Sequence, residues 1–123
     1  MTDESPAEKA FWKQIGFSAN ARDIYAPILA QVSDDEHWSA LQSYTALREV
    51  GAPIELYVFP GEHHVKYQPA HRLAVYKRSI DWFDYWLNGA RALGPERQQD
   101  LDRWEKLRAT RDAKAAELPA NPE

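Results

Sequence analysis

The sequence predicts an α/β fold arranged as a βαβα unit. Two short apolar runs, Ile28–Val32 and Ile54–Phe59, read as strands. Runs of this kind suit strands covered on both faces of a parallel sheet. Residues 39–50 lie between them with helical spacing, and residues 69–88 follow with a longer helical pattern. A strand, a helix and a strand joined by short links place the strands parallel, with a right-handed crossover.

The first element is a short helix. Ser5 can cap it, Pro6 suits its first turn, and Glu8 completes the capping-box spacing. Phe11, Trp12 and Ile15 give it an apolar side, and Gly16 can stop it. Residues 17–25 read as an irregular approach to the first strand. In the helix that follows, Leu41, Tyr44, Leu47 and Val50 recur on one side, and Gly51 ends it. Pro53 then breaks the chain before the second strand.

Pro69 opens the longest helix and Asn88-Gly89 closes it. Leu73, Tyr76, Ile80, Phe83 and Leu87 form one stripe, and Val75, Trp82 and Trp86 a second beside it. An apolar arc this wide implies a helix wedged between two layers. A two-stranded unit supplies little for the second layer, so partner surface is expected. From Gly94-Pro95 the composition turns charged and alanine-rich. Residues 95–116 read as a largely exposed helix with Leu101, Trp104 and Leu107 as a thin stripe, and 118–123 as a disordered tail.

At 123 residues the chain holds one domain at most. A net charge of −4 without clustered Lys and Arg argues against a nucleic-acid partner. No cysteine is present, so disulfides and thiolate metal sites are excluded. No apolar run reaches the roughly 20 residues of a membrane span. The acidic start shows no signal-peptide pattern, which leaves a cytoplasmic location as the default. Five tryptophans and six tyrosines require burial somewhere.

Both strands run into loops rich in catalytic side chains. The first ends in Ser33-Asp34-Asp35-Glu36 and the second in Pro60-Gly61-Glu62-His63-His64. In parallel α/β sheets, sites form from loops at the carboxyl ends of strands. An acid followed by a histidine is the order of the last two members of a Ser…Asp…His triad in α/β-hydrolases. The nucleophile is missing, because no Gly-x-Ser-x-Gly occurs in the chain. Ser18 has the right order relative to Asp35 and His64, but a nucleophile elbow needs a strand before it and a helix after it. The residues before Ser18 read as a helix and those after it as a strand. A metal site drawn from Asp34, Asp35, Glu36, His37, His63 and His64 is the competing chemistry. Adjacent histidines in a loop rarely face one ion, and no cofactor or metal is expected.

Several segments carry a resemblance. Asp35-Glu36-His37-Trp38-Ser39-Ala40-Leu41-Gln42-Ser43 resembles the stretch after the catalytic aspartate in the prolyl oligopeptidase family of serine peptidases. Ala46-Leu47-Arg48, Gly51–Leu56, Phe59–His64, Tyr76-Lys77-Arg78, Asp81-Trp82-Phe83 and Trp86-Leu87 are also similar to that family. Gln31 and His64–Arg72 carry a narrower likeness to its lasso-peptide isopeptidases. The resemblance covers residues 22–89 and implies the C-terminal βαβα portion of an α/β-hydrolase peptidase domain. The flanks are then an N-terminal helix and approach segment (1–21) and a charged helix with its tail (90–123). Carried over residue by residue, it implies Asp35 as the triad acid and His64 as the general base, with Asp34 and His63 as their immediate neighbours. Two positions depart from the family: Gln31-Val32 stands where His-Gly is common, and Val65 where Gly follows the histidine.

The implied function is a serine-type peptidase, cleaving peptide or isopeptide bonds, to which this chain brings Asp35 and His64. The implied partners are a peptide substrate and either the missing N-terminal part of the hydrolase or a second copy of this chain. The alternative is a non-catalytic remnant acting only as an oligomerising domain.

Overall fold

The computed structural model describes residues 5–117, so the tail expected at 118–123 lies outside the described residues. The helix α1 spans Pro6–Ile15, β1 Ile28–Ser33, α2 His37–Glu49, β2 Ile54–Phe59, α3 Pro69–Leu87 and α4 Gln98–Ala116. Short 3₁₀ segments occupy Ser18–Asp23 and Pro95–Arg97.

The start of α1 is the expected capping box. Glu8 N–H donates to Ser5 Oγ at 3.3 Å, and Ser5 N–H donates to Glu8 Oε2 at 2.8 Å. Its apolar residues Phe11, Trp12 and Ile15 are exposed, and nothing on α1 is buried. The Asn20 amide donates to the carbonyls of Lys13 and Gly16, which ties the end of α1 to the 3₁₀ segment.

β1 and β2 pair in parallel, with Ile28 opposite Ile54 and Ser33 opposite Phe59. Side chains alternate between the faces of a strand, and two separate clusters form on this sheet. On one side α2 and the 3₁₀ segment pack over it, with Ala21, Leu47, Ala52 and Ile54 buried and Ile28 and Tyr44 against them. On the other, Leu29 meets a cluster of Trp82, Tyr85, Leu101, Trp104 and Leu107 from α3 and α4. The layers are therefore helix, sheet and helix pair.

α3 begins and ends where Pro69 and Asn88-Gly89 predict, and of its wide apolar arc only one side is buried. Leu73, Tyr76, Ile80, Phe83 and Leu87 are each more than half exposed, while Trp82 and Tyr85 are buried. The reason is α4, which is largely exposed as expected but docks its apolar side there. Its thin stripe of Leu101, Trp104 and Leu107 is wholly buried against α3. Trp104 stands edge-on to Trp82 at 5.1 Å between ring centroids. Offset and edge-on aromatic pairs add to the energy of burial alone.

Polar contacts then lock α4 in place. Arg97 Nε donates to Asp81 Oδ2 at 2.6 Å, and Arg97 Nη1 to Asp100 Oδ2 at 3.1 Å. Arg103 reaches Glu55 and the Tyr57 hydroxyl of β2, and Tyr57 donates to Asp100 at 3.0 Å. Burial pushes the Tyr57 phenol well above its ordinary range, so it stays protonated and able to donate. No helix among the described residues is long and apolar enough to cross a membrane.

Candidate active site

The register of the sheet builds the site. Ser33 and Phe59 are paired and both end their strands, so the acidic loop (34–36) and the histidine loop (60–68) leave the sheet side by side. Gly61 joins them, with its N–H donating to Asp34 Oδ2 at 2.8 Å. That bond holds the Asp34 carboxyl below its ordinary value. Gly61 has φ of +66°, in the left-handed region where a side chain is unfavourable. The turn out of β2 is thus made with glycine where the chain must reverse toward Asp34.

The imidazole of His64 meets a carboxylate, and that carboxylate is Glu36. Nδ1 of His64 lies 2.5 Å from Glu36 Oε1. Asp35, the acid expected at this place, faces His63 instead, with Nδ1 to Oδ2 at 3.8 Å and both side chains largely exposed. The local cause is Ser33. A turn closed by Glu36 N–H donating to the Ser33 carbonyl at 3.2 Å folds Glu36 back over the strand end. There Glu36 Oε2 accepts from the Ser33 N–H at 3.2 Å and the Ser33 hydroxyl at 2.8 Å. Asp35 reaches the same hydroxyl but receives no backbone donor from Ser33. A sequence signal for this exists: Ser33-x-x-Glu36 has the spacing at which a Glu side chain reaches back to a Ser N–H.

The hydrogen bonds from His64 and then Ser33 pull the Glu36 carboxyl down to about 2. Glu36 is therefore ionised near neutrality and can only accept. The Nδ1 of His64 must carry the proton between them, so in the neutral ring Nε2 is the nitrogen without one. This is the tautomer a general base needs. The imidazole is 88% exposed, so the ring is open to solvent.

The histidine loop has its own anchor in Glu62, whose side chain is fully buried. Its carboxylate accepts from the N–H groups of Tyr67 at 2.7 Å and Gln68 at 3.0 Å, and from His71 Nδ1 at 2.8 Å. Burial raises its carboxyl, but these donors outweigh burial and leave it below the ordinary value. His71, in the first turn of α3, thus bonds the loop to that helix.

The remaining candidates do not join this constellation. Ser18 opens the 3₁₀ segment and lines a cavity with Trp12, Phe17, Gln42 and Ser43. His64 lines a different cleft of about 200 Å³ with Gln31, Lys66, Arg72 and Tyr76. His37 bonds the Asp34 carbonyl at 2.5 Å. Among the described residues His63, His64 and His71 each face a different acid, and no group of three is placed to hold a metal ion.

Known proteins are similar to this chain in sequence and fold. Lasso peptide isopeptidase AtxE2 of Asticcacaulis excentricus is 46% identical over 120 residues, which is 98% of this chain and 17% of that protein. Two solved structures superpose with a TM-score of 0.80 at 45% identity, covering 90% of this chain and 16% of theirs. One is AtxE2 isopeptidase without ligand; the other is a serine-to-alanine variant of it with Astexin3-dC4 bound. The chain thus spans about a sixth of the length of the relative it matches. The Prolyl oligopeptidase family (peptidase S9) model matches residues 2–90. With strand-end loops of the predicted kind and a fold superposing on AtxE2, the chain belongs to the prolyl oligopeptidase family.

Proposed function

We propose that this chain supplies the histidine and the carboxylate of a serine peptidase site that acts on peptide or isopeptide bonds. The nucleophile lies on preceding sequence or on a separate polypeptide. His64 Nε2 takes the proton from the serine as its oxygen attacks the carbonyl carbon, then passes that proton to the leaving amine. Glu36 orients the ring through Nδ1 and stabilises the imidazolium that forms. The observation that carries this reading is the 2.5 Å contact between Glu36 and an imidazole otherwise open to solvent. Asp35 is the acid the family resemblance implies, and it stands one residue away on the same turn.

The substrate class follows the relative. AtxE2 is a lasso peptide isopeptidase, and a structure of its serine-to-alanine variant holds bound Astexin3-dC4. A peptide substrate for the complete site is part of this proposal. So is a partner, the remaining hydrolase portion, to cover the exposed stripe of α3 and the open imidazole.

The test joins the chain to the preceding hydrolase segment and follows labelling of its serine by a fluorophosphonate. Serine labelling should occur in the joined protein and be absent from this chain alone. Glu36→Gln should slow labelling about 10⁴-fold, the usual cost of losing the orienting acid, and Asp35→Asn far less. The reverse ranking would return the acid's role to Asp35. Labelling of Ser18 in the isolated chain, or full activity after His64→Ala, would overturn the proposal. Self-association without any labelling in the joined protein would favour the oligomerising remnant.

A further inference from the structure

Lys66 is turned the wrong way for a loop lysine. Its side chain is only 7% exposed, while its neighbours Val65 and Tyr67 are exposed. The loop thus buries an ammonium and leaves apolar groups in water, against the usual preference of both. Such a placement requires compensating partners. Lys66 Nζ donates to the carbonyls of His63 and His64, each at 3.2 Å, and lies 4.0 Å from Glu36 Oε2.

These contacts close a ring. Glu36 Oε1 meets the His64 imidazole, the His64 carbonyl meets Lys66, and Lys66 faces the other oxygen of Glu36. The imidazole is too exposed to be held by packing, so its direction depends on the backbone that carries it. Gly61 pins one end of the loop to Asp34, and Glu62 pins the other through Tyr67 and Gln68. Lys66 is the link between them that reaches both His64 and Glu36.

We infer that Lys66 is a positioning residue for the His64–Glu36 pair: its buried ammonium clamps the His63 and His64 carbonyls beside Glu36 and so fixes which imidazole nitrogen faces the nucleophile. This rests on the proposed base role of His64 for its functional meaning, but not for its geometry. The other charged or titratable groups near the ring are Arg72 and Tyr76 of α3, in the same cleft, His63 on the same loop, and Asp35 on the acidic loop. Arg72 is exposed and makes none of the ring-closing contacts among the described residues.

The experiment reads the His64 tautomer by long-range ¹H–¹⁵N NMR at pH 8, where an ordinary imidazole is neutral. The unaltered chain should show one tautomer, protonated at Nδ1. Lys66→Met keeps the length of the side chain and removes its charge, and should give a mixture of tautomers. Lys66→Arg should restore the single form. A role in stability alone would lower the melting temperature in Lys66→Met and leave the tautomer of the folded chain unchanged, which would overturn the inference. A measurement on the unaltered chain guards against a variant that fails to fold. The Lys66 ammonium protons should exchange slowly and show cross-relaxation with the His64 backbone, and rapid exchange like that of a surface lysine would refute the clamp. In the joined protein, Lys66→Met should slow fluorophosphonate labelling about 10–100-fold, the scale expected for a misplaced catalytic group. A joined protein that never labels while the tautomer stays fixed would sink the peptidase reading and leave the clamp standing.

Discussion

Ser33 has one hydroxyl proton and two carboxylates within reach of it, Asp35 and Glu36. The hydroxyl cannot serve both at once, so the contest is decided by the Ser33 N–H, which only Glu36 receives. This selects the partner of His64. It was not legible from residue types, because Asp34, Asp35 and Glu36 are adjacent acids and a one-residue shift separates the candidates. The place of His64 in the loop beyond β2 was legible, since an apolar run precedes it. The Glu36 carboxyl, held at about 2, should titrate far below the ordinary 4.5 when its side-chain ¹³C signal is followed by NMR. Because its value is depressed in the folded chain, its stabilising effect is complete above about pH 4.5 and is lost as pH falls toward 2. Ser33→Ala removes one of the two Ser33 donors and should move the midpoint up, toward the ordinary value.

Among the elements, α3 and α4 depend on one another. Pro69 and Asn88-Gly89 marked the ends of α3 in the sequence, because proline and glycine act locally. Which of its two apolar stripes would be buried was not legible, because that depends on where α4 docks. The apolar stripe of α4 was legible, but its polar contacts were not: Arg97 just before α4, and Asp100 and Arg103 within it, bond α3, β2 and each other. Trp104 is fully buried between Trp82 and Tyr85. Trp104→Ala should cost about 3–5 kcal/mol in urea denaturation. Trp104→Phe should cost less, since the indole N–H is buried without a partner and its removal relieves that penalty.

For the molecule as a whole, one side is finished and the other is not. The α4 side of α3 is closed, while Leu73, Tyr76, Ile80, Phe83 and Leu87 form a continuous exposed face. Contiguous apolar surface of this kind marks an interaction site, and the chain matches 17% of AtxE2. The need for partner surface was legible from the width of the apolar arc on α3, although the stripe left open was not. Sedimentation of the isolated chain should show concentration-dependent self-association, and Ile80→Glu with Phe83→Glu should shift it toward monomer. A tight monomer before substitution would count against this. The sheet is incomplete in the same way. Each of its strands has a single neighbour among the described residues, so a line of backbone donors and acceptors runs along either flank. Any extended peptide can zip onto such a flank, whether it is a cognate strand or a stray copy. An open flank of this kind sets specific strand pairing in competition with growth of a fibre.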